Sequence, residues 1–245
     1  GSRALCDGGL LYGDDACAML TAEPTGGILW NASRGALTYR LRVAGRTSHV
    51  GLSYRGVNAF EKSFPLLQAL AEIKREVETR TTRFPLEPEG ARRSILMMGG
   101  EVQGERNFNV VPESFSFTVD RRLNPEEDFD EEKRRLLAAV ETARAQGVDV
   151  ELECIQEARP ASVDSEHTAA RAIAKSVEEV TGTSPRLELC PGILEIRFYA
   201  ERGVPAFAYG PGLLTVAHGP NEFVKRRDLE DCAAVYALAA LRLME

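Results

Sequence analysis

The chain has 245 residues, 44% apolar and 27% charged, enough for one large globular domain or two modest ones. A net charge of -7 and a pI of about 5.3 argue against nucleic acid or an anionic membrane surface as the main partner. No apolar run approaches the roughly 20 residues that would cross a bilayer. The cysteines (Cys6, Cys17, Cys154, Cys190 and Cys232) lack C-x-x-C spacing. They read as reduced thiols of a cytoplasmic protein, several packed as small hydrophobes.

In chain order, residues 1 to 35 open with a helix expected over Arg3 to Gly9. An apolar run, "ACAML", then leads into "TAEPTGG". Pro24, Gly26 and Gly27 end any regular element there, so Glu23 falls at a strand end or in a loop. Taken alone, Glu23 reads as an exposed turn carboxylate.

Residues 36 to 157 form the clearest unit. Leu37, Tyr39, Leu41 and Val43 alternate with polar residues, the signature of a half-buried strand. Phe60, Phe64, Leu67, Leu70, Ile73 and Val77 follow at helical spacing, and Pro65 implies a start near Phe64 or a bend there. Strands are expected over Ile95 to Gly100, around Phe115 to Val119, and over Val148 to Cys154. Between the last two lies a helix, with Asn124 as its N-cap, Pro125 in its first turn and Gly147 as its stop. The order is βαββαβ, the split-βαβ or ferredoxin-like α+β arrangement, with two helices on one sheet face.

Residues 158 to 245 return to α/β texture. A helix is expected over Ser165 to Thr181, a strand at Leu187 to Leu189, and a strand buried on both faces at "VPAFAY". The last ends in "GPG", with His218 just beyond, in the region outside strand carboxyl ends where open α/β sheets bind ligands. On its own His218 also reads as a solvated loop histidine. A closing helix begins at Asp228, apolar enough to be mostly buried. The pattern is one α/β domain (1–35 and 158–245) interrupted by another (36–157). The first piece is short for its share of a doubly wound sheet, so the chain looks cut.

Five fragments now carry a resemblance: "TAEPTG"; "GRTSHVG" with "GVNAF"; "NFNVVP"; "VDRRLNPEEDF"; and "GVPAFAYGPG" with "AHGPNEFV". In this order and spacing they resemble the M20 family of metallohydrolases, which includes acetylornithine deacetylase, succinyl-diaminopimelate desuccinylase and glutamate carboxypeptidase. The resemblance implies a partial zinc-peptidase α/β domain carrying an inserted ferredoxin-like dimerisation lid. It implies a co-catalytic metal site, usually two zinc ions, with cobalt or manganese as alternatives. Glu23 would ligate one metal and His218 the other, residue types that zinc accepts. His49 would reach the active site of the opposite subunit and hydrogen-bond the oxyanion; its plain alternative is a strand-end histidine.

Asn109 and Arg122 would approach the substrate from the lid, Arg122 by pairing with a carboxylate. Arg121 alternates to the other side of the strand and is expected to be solvated. Asn58 would help bind substrate or simply cap the helix after it. His167 matches nothing and is expected at the surface. The family's H-x-D motif and its metal-site Glu-Glu pair have no counterpart in the expected places, and the pair would stand immediately ahead of Gly1. Where much of the family has "GGTDAR", this chain has "PGILEIR", with Glu195 for the aspartate, so the acyl group is not carried over.

The leading expectation is a homodimeric cytoplasmic amidohydrolase of an N-acyl amino acid or small peptide. On that expectation the 245-residue piece itself is inactive. The competing reading is a non-catalytic dimerisation or ligand-binding protein that has lost the metal centre.

Overall fold

Residue contacts in the computed structural model, which describes residues 1–9 and 16–244, separate two units interleaved along the chain. Unit one comprises Gly1–Arg34, Arg83–Arg92 and Pro160–Glu245; unit two comprises Gly35–Thr82 and Arg93–Arg159. The first segment of unit one holds α1 (Ser2–Asp7), β1 (Met19–Thr21) and β2 (Leu29–Ser33). Unit two supplies β3 (Gly35–Ala44), β4 (Ser48–His49), α2 (Ala59–Lys62) and α3 (Phe64–Val77). It resumes with β5 (Ile95–Gln103), β6 (Val110–Val111), β7 (Ser114–Leu123), α4 (Phe129–Ala145) and β8 (Val150–Ala158). Unit one closes with β9 (Ala161–Ser162), α5 (Thr168–Thr181), β10 (Leu187–Cys190), α6 (Ile196–Ala200), β11 (Ala206–Ala208) and α7 (Arg226–Met244).

In unit two the sheet order is β5-β7-β3-β8, every neighbour antiparallel. Strands β3 and β5 are therefore parallel with β7 between them, and β7 and β8 are parallel with β3 between them. Each parallel pair is joined through a helix, which is the split-βαβ pattern. Alternation puts Leu37, Tyr39, Leu41 and Val43 on one face. There they pack with Leu66, Leu70 and Val77 of α3 and Leu136, Val140 and Ala143 of α4. On the other face Arg40 bridges Glu101 of β5 and Glu153 of β8 at 2.8 and 2.6 Å. Pro65 sits in the first turn of α3, so the chain turns after α2 and starts a new helix rather than bending one.

Two expectations fail in this unit. The N-cap of α4 is Asp128, whose Oδ1 accepts the Glu131 N–H at 2.9 Å; Asn124 precedes a separate turn. The reason lies in Glu127, whose carboxylate is drawn out of a helical first turn by Arg121, by Arg80 (2.8 Å) and by the backbone N–H of Asn124 (2.7 Å). Arg121, expected to be solvated, is fully buried on the helix side. Its guanidinium donates to Glu132 at 3.1 and 2.9 Å and also to Glu127. Arg80 and Arg135 donate to Glu132 as well, at 2.8 and 3.0 Å. A guanidinium among carboxylates with this many donors in use is a stable way to bury charge.

Unit one has the order β1-β11-β2-β10, with β9 also pairing β2. β1 lies parallel to β11, and β10 parallel to β2. Trp30, Tyr199, Ala206 and Ala208 pack on one face, while Leu29, Ile173, Phe207 and Val235 pack on the other, under α5 and α7. Phe84 and Leu86 join this unit by packing on Ala32 and Leu189. The closing helix departs from expectation. Val235 and Ala239 are its buried residues, whereas Leu229, Leu241 and Met244 face outward. One stripe of α7 rests on the unit, and apolar composition alone does not say how many faces are covered.

Candidate metal and substrate site

Glu23 stands in the turn that follows β1. That turn is tied to the loop after β11 by backbone geometry. Gly26 N–H donates to the Gly212 carbonyl at 2.9 Å. The Thr25 hydroxyl lies 3.3 Å from both the carbonyl and the N–H of Gly210. A Cβ at residue 210 would lie 2.6 and 2.7 Å from the Glu23 carbonyl oxygen and amide nitrogen, so glycine is required for the approach. The half-buried Glu23 carboxyl is pushed above its ordinary range by burial and then by the nearby charge of Glu195. Glu195 is exposed and accepts the Ser2 hydroxyl.

His218 lies a few residues beyond the loop that holds the Glu23 turn. Its backbone is left-handed, with φ of 60°, and its N–H donates to Glu222 Oε2 at 3.1 Å. The imidazole is exposed. The two motifs of unit one, nearly the whole chain apart, thus come to adjoining loops, and no hydrogen bond or ion pair joins their side chains among the described residues. Among the described residues no three His, Cys, Asp or Glu side chains converge as a complete metal cage would need. The donor chemistry fits part of a zinc site: a carboxylate destabilised by burial beside a second negative charge, and an unencumbered imidazole.

In unit two, β4 pairs β6 antiparallel, with His49 opposite Val110. The Val50 N–H donates to the Asn109 carbonyl at 2.9 Å, so His49 and Asn109 are neighbours on one small ribbon. His49 also caps the 3-10 turn Val50–Arg55, its Nδ1 accepting the Gly51 N–H at 3.1 Å. That bond assigns the proton of the neutral ring to Nε2. Arg122 lies on the sheet face away from the helices. Its Nε and Nη2 donate to Asp120 Oδ2 at 3.1 and 2.7 Å, and Thr38 donates to Oδ1 at 3.1 Å.

Asn58 caps α2, accepting from Phe60 N–H at 3.0 Å and Glu61 N–H at 3.3 Å and donating to Glu61 Oε1 at 3.0 Å. Its amide oxygen and one of its two N–H groups are engaged locally. His167 is exposed and caps α5, accepting the Ala169 N–H at 3.1 Å. Sequence reasoning missed that Glu195 lies near Glu23 and that Gly210 is in contact with it. No local pattern announces a close approach between segments 172 and 187 residues apart.

The M20 peptidase dimerisation domain matches residues 31–148. Just under half of the chain thus carries the dimerisation domain of the M20 family. It is 29% identical over 210 residues to a putative succinyl-diaminopimelate desuccinylase of Mycobacterium tuberculosis, the match covering 84% of this chain and 52% of that protein. It is 26% identical over 224 residues to succinyl-diaminopimelate desuccinylase of Thioalkalivibrio sulfidiphilus, covering 91% of this chain and 56% of the other. The chain therefore spans about half the length of these M20 relatives. In fold it is similar to the aminopeptidase PepT of Bacillus cereus, with a TM-score of 0.72 at 16% identity, covering 94% of this chain and 58% of that one. Human carnosine dipeptidase 1 is a further fold neighbour, with a TM-score of 0.65 at 14% identity, covering 92% and 59%. No helix among the described residues is long and apolar enough to cross a membrane.

Proposed function

We propose that this chain is the lid-bearing part of a metal-dependent M20 hydrolase that cleaves the amide bond of an N-acyl amino acid or small peptide. In this reading unit two is the inserted dimerisation lid and unit one is part of the catalytic α/β domain. The observation that carries the reading is the joining of the Glu23 turn to the 210–213 loop that leads to His218. It brings two residue types that zinc accepts onto adjoining loops.

Glu23 and His218 would hold zinc in part, and bound zinc supplies polarisation of the amide carbonyl and activation of the attacking water. The chain's own residues bind and orient. His49 presents Nε2–H because Gly51 occupies Nδ1, so it meets a developing oxyanion as a donor. Serving the active site of a second protomer, it makes the lid a catalytic part of a homodimer. Asn109 sits beside it on the same ribbon and adds a polar contact to substrate. Arg122 keeps Nη1 for a substrate carboxylate while Asp120 holds its Nε and Nη2.

The test is hydrolysis of N-succinyl and N-acetyl amino acids by the full-length gene product with zinc or cobalt. Glu23→Gln and His218→Ala are each expected to lower kcat by about a hundredfold or more, the scale of a lost metal ligand. The isolated 245-residue chain is expected to give no turnover. Full activity in both variants would overturn the reading.

A further inference from the structure

We propose that Ser48 is a positioning residue for His49: its hydroxyl clasps the Val50–Arg55 turn and so holds the Gly51 N–H against the imidazole. The inference rests on the reading of His49 as an oxyanion donor and deepens it by naming the residue that keeps the donor aimed.

No residue of the turn is buried, so packing does not fix its shape. Hydrogen bonds hold its two ends. At the entry the Val50 N–H donates to the Asn109 carbonyl at 2.9 Å. At the exit Arg46 and Val57 exchange backbone bonds at 2.8 Å, and Arg46 Nε donates to the Arg55 carbonyl at 2.9 Å. Between these ends the dihedrals of Leu52 leave the helical range, with φ of -122° and ψ of 30°. There the Ser48 hydroxyl donates to the Leu52 carbonyl at 3.0 Å, with the His49 carbonyl a longer alternative at 3.2 Å. The Ser48–Leu52 bond closes residues 48–52 into a small loop, and the bond from Gly51 N–H to His49 Nδ1 lies within it.

The loop is close-fitting. A Cβ at residue 51 would lie 3.3 Å from His49 Nδ1 and 3.6 Å from Cε1, so the ring rests against the glycine backbone. A Cβ at residue 56 would lie 3.0 Å from the Ser48 Oγ, so the returning chain closes over the hydroxyl. The His49 Nε2 has no hydrogen-bond partner among the described residues, which leaves Nδ1 as the polar anchor of the ring. With that anchor loosened, a neutral imidazole can turn and carry its proton on either nitrogen. The plain alternative is a serine that only satisfies a turn carbonyl. Its removal would then leave the imidazole untouched.

The test is NMR of the 245-residue chain with 15N-labelled histidine and glycine, in mildly alkaline buffer that keeps the ring neutral. In the unaltered chain the His49 proton is expected on Nε2; a mainly Nδ1-protonated ring overturns the proposal. Ser48→Ala is expected to speed Gly51 amide exchange about fivefold, the scale of one lost hydrogen bond. It is also expected to bring up a signal from Nδ1-protonated His49, with unchanged circular dichroism. Ser53→Ala, whose hydroxyl makes no hydrogen bond among the described residues, is expected to change neither. In the full-length enzyme Ser48→Ala is expected to lower kcat about tenfold with KM unchanged, a partial loss of transition-state stabilisation. A Ser48→Ala chain that keeps the parent tautomer and exchange rate overturns the proposal, as does an equal change in Ser53→Ala. A shifted tautomer together with full activity in His49→Ala would uphold the clasp and overturn the oxyanion reading instead.

Discussion

At residue 210 a single methyl group would press against the backbone of Glu23. Overpacking against backbone is not relieved by a rotamer change, so Gly210→Ala is expected to destabilise unit one by about 1–3 kcal/mol. Urea unfolding read by circular dichroism measures it, and an unchanged midpoint would mean that the two loops are free to part. Glycine at 210 is visible in the sequence as part of "GPG", but the reason for it is a neighbour near residue 23 that only folding supplies. His49 is a similar case. The letter H is legible, whereas the tautomer depends on the Gly51 N–H that the 3-10 turn brings to its ring.

Elements were most legible where one face meets the core and the other meets solvent. Strand β3 and helix α3 announce themselves by period because their two faces differ. Strand β2 is buried along its whole length, has no alternation to read, and escaped notice. The start of α4 was misplaced because Asn124-Pro125-Glu126-Glu127 has the chemistry of a helix start. The arginines that recruit Glu127 are the buried Arg121 of β7 and the half-buried Arg80 from the chain beyond α3.

That charge cluster also sets a pH response. Burial works to raise the Glu132 carboxyl, but hydrogen bonds from Arg80 and Arg121 outweigh it and hold the group below its ordinary value. The folded state then binds its proton less readily than the unfolded chain. Its contribution is full above the ordinary glutamate range and is lost as pH falls through the lowered value. Unit two is therefore expected to lose stability on acidification below about pH 4.3. Glu132→Gln should flatten that limb of the stability–pH curve while lowering stability at neutral pH by about 3–5 kcal/mol, since Arg121 is left buried with fewer partners. A parallel curve for the variant would exclude Glu132 as the source.

At the scale of the whole molecule, the chain passes between the units four times, and this interleaving was partly legible as a change of texture near residues 35 and 158. The excursion of residues 83–92 into unit one was not, because a ten-residue stretch is too short to show a period. The candidate metal residues were proposed from the family resemblance alone, since spacing does not single out groups so far apart in the chain.

Association is the other property of this scale. Val50, Leu52, Tyr54 and the fully exposed Phe108 surround the His49 ribbon with apolar surface. Such surface marks a contact more often than a solvent face. Light scattering is expected to give a dimer, and Tyr54→Ser with Phe108→Ser to shift it toward monomer; a monomer at all concentrations would remove His49 from any second active site.

The left-handed backbone of His218 carries a consequence for evolution in the test tube. An L-residue in that conformation gives up about 1–2 kcal/mol that glycine would not. Selection for heat resistance alone should therefore favour His218→Gly, yielding a hardier fold without the proposed metal-binding imidazole. A library screened for both traits at once would keep the histidine and find its thermostability elsewhere.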